Sequence, residues 1–447
     1  MNPEPSGSSV AGLTTGDLFR VVRDILADEL RRSRPGRFDP LSAREWTPGT
    51  EVRADGLGLD SFERFTVAGR LNETFALFES GVEDNLLRAR TLADTVEVIR
   101  AGLDHYSESI AFYSGGTTGV PKPRHHAASL LEQEITVHAS IFASRRRVIV
   151  TVPVHHIYGF LFGVLLPATL GVPAVDAQGT LLTGDARPRD GDLVVSVPFL
   201  WERLLTGISR WGEDVVGVSS TAPLPPATAR AGCTGENAPG AGARGSRGLA
   251  RFIEVYGSSE TAGIGWRDHC AALPAATTPG FTLFPYWSRA GASEEDSRLH
   301  RSGASREIPA SDETGVTHGP TPPDEPGSAG ASTTHDATAP PDELLRTNPD
   351  GSTSRLPLPD RVEWIDDRTI IPVGRRDAVV QVGGENVDLE ELRSKIRDIL
   401  DDIADCAVRL GGDGRIRLFV VPAPGAAARL ETITPRTSPD GSVPGSP

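Results

Sequence analysis

Phe112-Tyr-Ser-Gly-Gly-Thr-Thr-Gly-Val-Pro-Lys122 is the stretch that decides how this chain is read. An apolar run, Ile110 to Tyr113, enters a loop with Gly115, Gly116 and Gly119 among the hydroxyls of Ser114, Thr117 and Thr118. Glycines let backbone amides crowd around an anion, and hydroxyls add donors. Lys122 closes the loop with a positive point charge. The pattern reads as a phosphate cradle. It is not a Walker A loop, because the order Gly-x-x-x-x-Gly-Lys-Ser/Thr is absent. The plainer alternative is a surface turn between a strand and a helix, and residues further along must decide.

The chain has 447 residues, enough for two or three domains with a sizeable core. Its formal charge is −15, from 45 Lys+Arg against 60 Asp+Glu, which argues against nucleic acid or an anionic membrane as partner. Lys122 and Lys395 are the only lysines, so a lysine inside the glycine loop carries weight. Cys233, Cys270 and Cys406 are scattered, with neither metal spacing nor a disulfide framework, and a reducing cytoplasm is expected. Met1 to Ser9 lacks the basic and apolar regions of a signal peptide. Ile157 to Val175 is uncharged, but Pro167, Pro173 and three glycines interrupt it. It reads as a buried helix followed by a strand, not a membrane span.

Residues 14–104 read as a small helical unit. Leu18, Val22, Ile25 and Leu26 have helical spacing over Asp17 to Leu30. A second helix begins at Ser61 and carries Phe62, Phe65, Ala68, Leu71 and Phe75 as its apolar positions. A third begins at Thr91, where Asp94 completes a capping-box pattern. Within Gly56-Leu-Gly-Leu-Asp-Ser-Phe-Glu63, either Asp60 or Ser61 can cap the second helix. This arrangement resembles an acyl carrier protein. By that resemblance Ser61 would receive 4′-phosphopantetheine, although Phe62 stands where the carrier family usually has leucine.

From residue 105 onward the apolar runs Val148 to Val152, Leu193 to Val197, Val215 to Val218 and Phe252 to Tyr256 suit strands buried on both faces of a largely parallel sheet. Such sheets bind ligands beyond the carboxyl ends of their strands. Suggestive residues follow three of these runs: Val152-Pro-Val-His-His-Ile-Tyr-Gly159, Ser219-Ser-Thr-Ala-Pro-Leu224 and Tyr256-Gly-Ser-Ser-Glu-Thr261.

Together with the opening loop, these motifs resemble the AMP-forming adenylating superfamily of acyl- and aryl-CoA ligases over roughly residues 105–410. The helical front end, Phe284-Pro-Tyr-Trp287 and Val380-Gln-Val-Gly-Gly-Glu-Asn-Val387 are similar to ligases of aryl-polyene and xanthomonadin-type pigment clusters. The resemblance implies that Ser114, Gly115, Gly116, Thr117, Thr118, Gly119 and Lys122 hold ATP phosphates. It implies that Tyr256 stacks on adenine with Gly257 also in the nucleotide site, that Ala222 and Pro223 form the adenine turn, and that Ser259 keeps the hydroxyl of a usual threonine. Glu260 would hold Mg²⁺, a hard cation that takes oxygen ligands beside phosphate. His156 would border the acyl pocket, with Tyr158 and Gly159 in its wall. Asp360 would pair with the ribose hydroxyls, Arg375 would contact ribose or phosphate, and Asp377 would be the hinge before a small C-terminal domain.

The expected architecture is therefore α/β, an adenylate-forming fold with largely parallel sheets. A carrier-like helical unit spans 14–104, an AMP-binding core 105–287, and a low-complexity insertion 288–352, expected to be disordered because it has few apolar anchors. The core ends over 353–374, a truncated C-terminal domain covers 375–425 with a helix from Leu389 to Leu400, and a disordered tail follows over 426–447. No lysine follows Arg397, whereas the family grips the carboxylate with a late lysine; Pro435-Arg-Thr-Ser-Pro-Asp-Gly-Ser442 carries Ser442 at the matching place. The expected function is ATP-dependent activation of an aryl or unsaturated carboxylic acid and its transfer to CoA or to a phosphopantetheine arm on an acyl carrier protein. The competing expectation is a degenerate, non-catalytic member that binds nucleotide or a carrier.

Overall fold

A computed structural model describes residues 10–53, 56–114, 122–180, 182–208, 211–235, 248–271, 279–290, 342–358, 360–375, 379–382, 385–399, 403–410 and 416–422. The front end forms α1 (Thr15–Ser33), α2 (Ser61–Phe75) and α3 (Leu92–His105). Each helix starts where its sequence provides a capping box: Thr14 with Asp17, Asp60 with Glu63, and Thr91 with Asp94. Asp60, not Ser61, is therefore the cap of α2, and Ser61 is its exposed first residue.

Two readings of this unit are corrected. Phe62 and Phe65 are 78% and 66% exposed, and the buried face of α2 is instead Glu63, Val67, Arg70, Leu71, Thr74 and Phe75. Ion pairs turn the helix this way: Arg34 grips Glu63 from α1, and Arg70 pairs with Asp28 and Glu29. The unit is also not a separate carrier-like bundle. Leu18, Val22, Ile25, Leu71 and Ile99 belong to one hydrophobic cluster with Val148, Val195 and Ile264 of the sheet. Arg20 donates to the carbonyl of Gly163 at 2.8 Å, and Asp24 Oδ2 accepts from the Val154 amide at 2.8 Å. A carrier must swing between sites, and burial of this kind opposes that.

The chain continues through β1 (Ser109–Ser114), β2 (Lys122–Ala127), α4 (Ala128–Ile141) and β3 (Arg147–Val150). A helical run follows, made of α5 (Ile157–Phe160), a π-turn at Leu161–Leu165, and α6 (Leu166–Leu170), leading into β4 (Ala174–Asp176). Next come β5 (Asp192–Ser196), α7 (Pro198–Gly207), β6 (Val216–Ser219), α8 (Pro226–Thr234), β7 (Arg251–Ser258), β8 (Ala262–Asp268), β9 (Phe281–Leu283) and β10 (Trp287–Arg289). The C-terminal part has β11 (Glu343–Thr347), β12 (Thr353–Pro357), β13 (Asp360–Asp366), β14 (Thr369–Arg375), β15 (Val379–Val382), β16 (Glu385–Asp388), α9 (Leu389–Ile399), β17 (Ile403–Leu410) and β18 (Ile416–Pro422).

The main sheet has nine strands in the order β13-β14-β9-β8-β7-β6-β5-β3-β4. It is parallel only from β4 to β7, and antiparallel from β7 to β13. The expectation of a largely parallel sheet thus holds for one half. That half is the one with continuous apolar runs, and every residue of β5 and β6 is buried. In the other half short turns join β7 to β8 and β13 to β14, as antiparallel pairing permits.

Order returns earlier than expected after the low-complexity stretch, since β11 starts at Glu343 and pairs with β10 and β12. Residues 291–341 and the tail beyond 422 lie outside the described residues. The cysteine expectation is overturned at one pair: Cys233, at the end of α8, and Cys270, just past β8, are disulfide-bonded with Cα atoms 5.2 Å apart. Their separation of 37 residues gives no spacing signal, and only the sheet brings the two ends together. Among the described residues no helix is long and apolar enough to cross a membrane.

Candidate active site

The glycine loop does not join a strand to a helix. It links β1 to β2, which pair antiparallel with Ser114 opposite Lys122. The two ends of the cradle are therefore held side by side, while Gly115, Gly116, Thr117, Thr118 and Gly119 lie outside the described residues, as does the Ser114 side chain. Lys122 is exposed at the start of β2. Two residues later Arg124 pairs with Glu260 at 3.2 Å, both about half exposed. His126, buried on the same strand, has its Nε2 2.8 Å from the carbonyl of Ser259. A carbonyl only accepts, so that nitrogen carries the proton. Burial pushes the His126 pKa down, which keeps the ring neutral. These contacts stitch the phosphate hairpin to the turn between β7 and β8.

That turn carries Tyr256, Gly257, Ser258, Ser259 and Glu260. Gly257 is required by close approach: a Cβ there would lie 2.1 Å from the carbonyl oxygen of Ala262. Ser258 and Thr261 bond to each other through their hydroxyls, and the Ser258 Oγ accepts from the Glu260 amide at 3.2 Å. Tyr256 Oη donates to Asp360 Oδ2 at 2.6 Å. Asp360 in turn faces Arg375 across the β13–β14 ladder. The structure thus gathers the adenine and ribose candidates from three strands, although the Arg375 side chain and Asp377 lie outside the described part.

The turn after β6, which carries Ala222 and Pro223, shows two features that sequence reading missed. Thr221 has φ 79° and a buried Oγ1 without a hydrogen-bond partner. Positive φ in a β-branched residue is strained, and such strain concentrates at functional turns. The second feature is Glu254, 2% exposed on β7. Its carboxylate accepts from the Leu224 amide, from Arg267 and from His269 at 2.7–2.9 Å. It holds the turn bearing Ala222 and Pro223 against the sheet. No local pattern marks Thr221; an acid in the apolar run Phe252 to Tyr256 was the available signal for Glu254.

A cavity of about 870 Å³ opens beside these turns. Thr221, Gly257, Ser258 and Ser259 line it together with His156, Tyr158, Phe162 and Phe199. His156 precedes α5 and presents its ring to this space. Its ring is exposed to this space, and partial desolvation by the cavity walls lowers its pKa, which keeps it neutral at pH 7. Tyr158 is buried and donates from Oη towards the carbonyls of Ser196 and Val218, both at 3.0 Å. It clamps the ends of β5 and β6, and burial raises its pKa well above the usual value. Gly159 allows the helix to start against the chain, because a Cβ there would meet the Pro153 carbonyl oxygen at 2.0 Å.

The opposite partner of this wall was not foreseen. Residues of α1, among them Asp24, Asp28, Arg31 and Arg32, line the same cavity. Asp28 is 6% exposed and pairs with Arg31, Arg32 and Arg70 at 2.8–3.2 Å. Burial alone would raise its pKa, but positive neighbours hold it well below the carboxylate range. Because His155 is itself neutral, the arginines carry this effect. The sequence signal was present: Asp24 and Asp28 recur four residues apart inside an apolar helical stripe.

Glu260 suits a magnesium ion. It is exposed, and its present partner is a cation, Arg124. Mg²⁺ beside phosphate takes one or two carboxylates plus phosphate and water oxygens, so one acid suffices. Among the described residues no cluster of three His, Cys, Asp or Glu could hold a metal by itself.

Comparison with known proteins agrees with this geometry. Residues 88–285 match the family model of the AMP-binding enzyme. A 4-coumarate–CoA ligase of Halorhodospira halophila is 32% identical over 415 residues, covering 92% of this chain and 88% of that protein. A 4-coumarate–CoA ligase of Cereibacter sphaeroides is 31% identical over 419 residues, covering 89% and 82%. A solved o-succinylbenzoate CoA synthetase of Bacillus subtilis aligns at 13% identity and TM-score 0.48, over 94% of this chain and 86% of that one. On the curated relatives, which it matches over most of their length, this chain belongs to the AMP-binding enzyme family, within the acyl-CoA ligase superfamily.

Proposed function

We propose that this protein activates an aryl carboxylic acid with ATP and transfers the acyl group to CoA. One observation carries the reading: a single cavity is lined both by the turns matching the adenylate motifs and by the wall around His156 and Tyr158. The relatives' names, 4-coumarate–CoA ligase, favour an aryl acid over the pigment-cluster substrates suggested by the front end.

In the first step a carboxylate oxygen attacks the α-phosphorus of ATP, and pyrophosphate leaves. In the second the thiol of CoA attacks the acyl carbonyl, and AMP leaves. No serine or cysteine nucleophile of the protein is needed, because the attacking atoms belong to the substrates. Ser114, the glycine loop and Lys122 would hold the phosphates. Glu260 would hold Mg²⁺, which neutralises phosphate charge when bound. Tyr256, Ala222 and Pro223 would hold adenine; Asp360 and Arg375 would hold ribose, with Asp377 as hinge. The gain is positioning and electrostatics in a partly dehydrated site. A cytoplasmic location suits the supply of ATP and CoA.

The reading takes CoA rather than a self-loaded arm as acceptor. Ser61 is exposed and modifiable, but the helices around it are packed into the core rather than free to carry an arm. Mass spectrometry of Ser61 after treatment with a phosphopantetheinyl transferase and CoA checks this, and a quantitative mass gain would reopen the carrier route.

The test of the activity is ATP–pyrophosphate exchange over a panel of aryl and fatty acids, with Lys122→Ala and Glu260→Ala alongside. Exchange that needs an aryl acid and falls about 10²–10³-fold in either variant supports the reading. A folded protein that binds AMP but exchanges with no acid would instead be a degenerate binding member.

A further inference from the structure

Pro167 stands inside the helical run that walls the cavity, and its effect reaches back to Gly163. In an α-helix the Gly163 carbonyl would accept from the amide four residues on, but Pro167 has no N–H and its ring crowds that carbonyl. The run does not keep the α register there. It forms the π-turn at Leu161–Leu165, where the Leu166 amide donates to the Leu161 carbonyl five residues back. Arg20 of α1 supplies a donor in place of residue 167: its Nη1 donates to the Gly163 carbonyl at 2.8 Å, across 143 positions. The Arg20 side chain is 14% exposed, and its Nε and Nη2 have no hydrogen-bond partner, so the bond to Gly163 is what directs the guanidinium. A Cβ on Gly163 would lie 2.9 Å from Val150 Cγ1 and 3.0 Å from Val154 Cγ1, so the turn is pressed against the end of β3.

The turn falls where the cavity wall meets the core. Tyr158, Gly159, Leu161 and Phe162 line the cavity, whereas Val164, Leu165 and Leu166 are packed in the hydrophobic core. Tyr158 pins the first end through its bonds to the carbonyls of Ser196 and Val218. Phe162 sits at the junction, with its ring 5.2 Å from that of Tyr158 and 4.5 Å from that of His138. A π-turn carries one residue more than an α-turn. Returning this one to the α register would therefore rotate the cavity end of the run by about 100° against its core end. Arg20 does not line the cavity itself. It acts on the wall through the Gly163 carbonyl.

We propose that Arg20 is a positioning residue for this wall: by capping the Gly163 carbonyl it holds the π-turn, and so sets the length of acid that the cavity accepts. The proposal rests on the acid-activating reading above and adds the residue through which the N-terminal helical unit governs selectivity. A change in wall position equal to one methylene group alters discrimination between acids by about 10–200-fold, so a small shift at Leu161 and Phe162 is enough.

The experiment compares kcat/KM for benzoate and cinnamate, which differ by a two-carbon spacer, in the full chain and in Arg20→Met, Arg20→Lys, Pro167→Ala and the double variant Arg20→Met/Pro167→Ala. The unaltered protein should separate the two acids by at least about tenfold, and Arg20→Met should change that ratio by about fivefold or more. Arg20→Lys keeps an N–H donor and should recover part of the original ratio. Pro167→Ala returns an amide donor to the Gly163 carbonyl, so adding Arg20→Met to it should change the ratio by less than about twofold further. Equal use of both acids by the unaltered protein, an equal fall for both in Arg20→Met, or a double variant showing the full product of the single effects would overturn the proposal. Urea midpoints of the same four variants need no substrate and expose any that fails to fold. They should show the same non-additivity, and strict additivity would refute the cap at Gly163. Absence of exchange with every acid fails the acid-activating reading and the selectivity role with it, whereas strict additivity of the midpoints fails the Arg20 cap alone.

Discussion

Tyr256 Oη donates to Asp360 Oδ2 at 2.6 Å, so the residue assigned to adenine and the residue assigned to ribose are bonded to each other across 104 positions of sequence. The phenol orients the carboxylate and lies between β7 and the edge strand β13. Tyr256→Phe should raise the Kd for AMP about threefold to tenfold, the worth of one such hydrogen bond. Asp360→Asn should act similarly, and the double variant should lose less than the sum. Calorimetric titration with AMP reads this, and strict additivity would show that the contact is incidental.

Arg124 pairs with Glu260 at 3.2 Å. A half-exposed pair of this kind is worth about 0.2–1 kcal/mol, so it opposes Mg²⁺ binding only mildly. Arg124→Gln should lower the Mg²⁺ midpoint of the exchange reaction by up to about fivefold. Glu260→Gln should raise it steeply. An unchanged midpoint in Arg124→Gln would mean that the pair does not compete with the ion.

Gly257 has no room for a side chain, with the Ala262 carbonyl oxygen 2.1 Å from the position of a Cβ. Gly257→Ala should destabilise the protein by about 1–3 kcal/mol through overpacking, and should weaken nucleotide binding with it. Gly207, with nothing within 4 Å, provides the control. Urea denaturation of Gly257→Ala and Gly207→Ala separates the two cases.

Acid should unfold the protein in two stages. Desolvation pushes the pKa of buried His155 well below its usual value. The unfolded chain therefore takes up this proton first, and stability should fall as pH drops below about 6.5. The Glu63 carboxyl is lowered too, to about 2, by hydrogen bonds from Arg34. Its contribution is present above about pH 4.5 and is lost as pH falls towards 2. Urea midpoints at several pH values should show both declines, with His155→Gln reducing the first and Glu63→Gln the second.

The Cys233–Cys270 bond closes a segment of 37 residues next to β7 and β8. Chain entropy assigns about 3–4 kcal/mol to a crosslink of this span, so reduction should lower the Tm measurably. Cys270→Ser should match the reduced protein. In a reducing compartment the pair would be held as thiols, and equal Tm values with and without reductant would show that the bond does not contribute.

The sequence by itself determined the elements whose signals are local. The capping boxes at Thr14, Asp60 and Thr91 set the three front helices, because a side chain three residues away satisfies each exposed amide. The apolar runs at Val148, Leu193, Val215 and Phe252 marked the parallel half of the sheet, since strands covered on both faces need no polar residues. The adenylate motifs were readable because their chemistry needs particular residues in a fixed order. Only the tertiary structure decided which face of α2 is buried, because Glu63 and Arg70 enter the core through partners on α1. It alone joined Cys233 to Cys270, set Glu254 beneath the turn that follows β6, and placed Asp28 beside His155 across 127 positions. Each of these relations links residues far apart in the chain, and a local pattern carries no information about a partner supplied by packing.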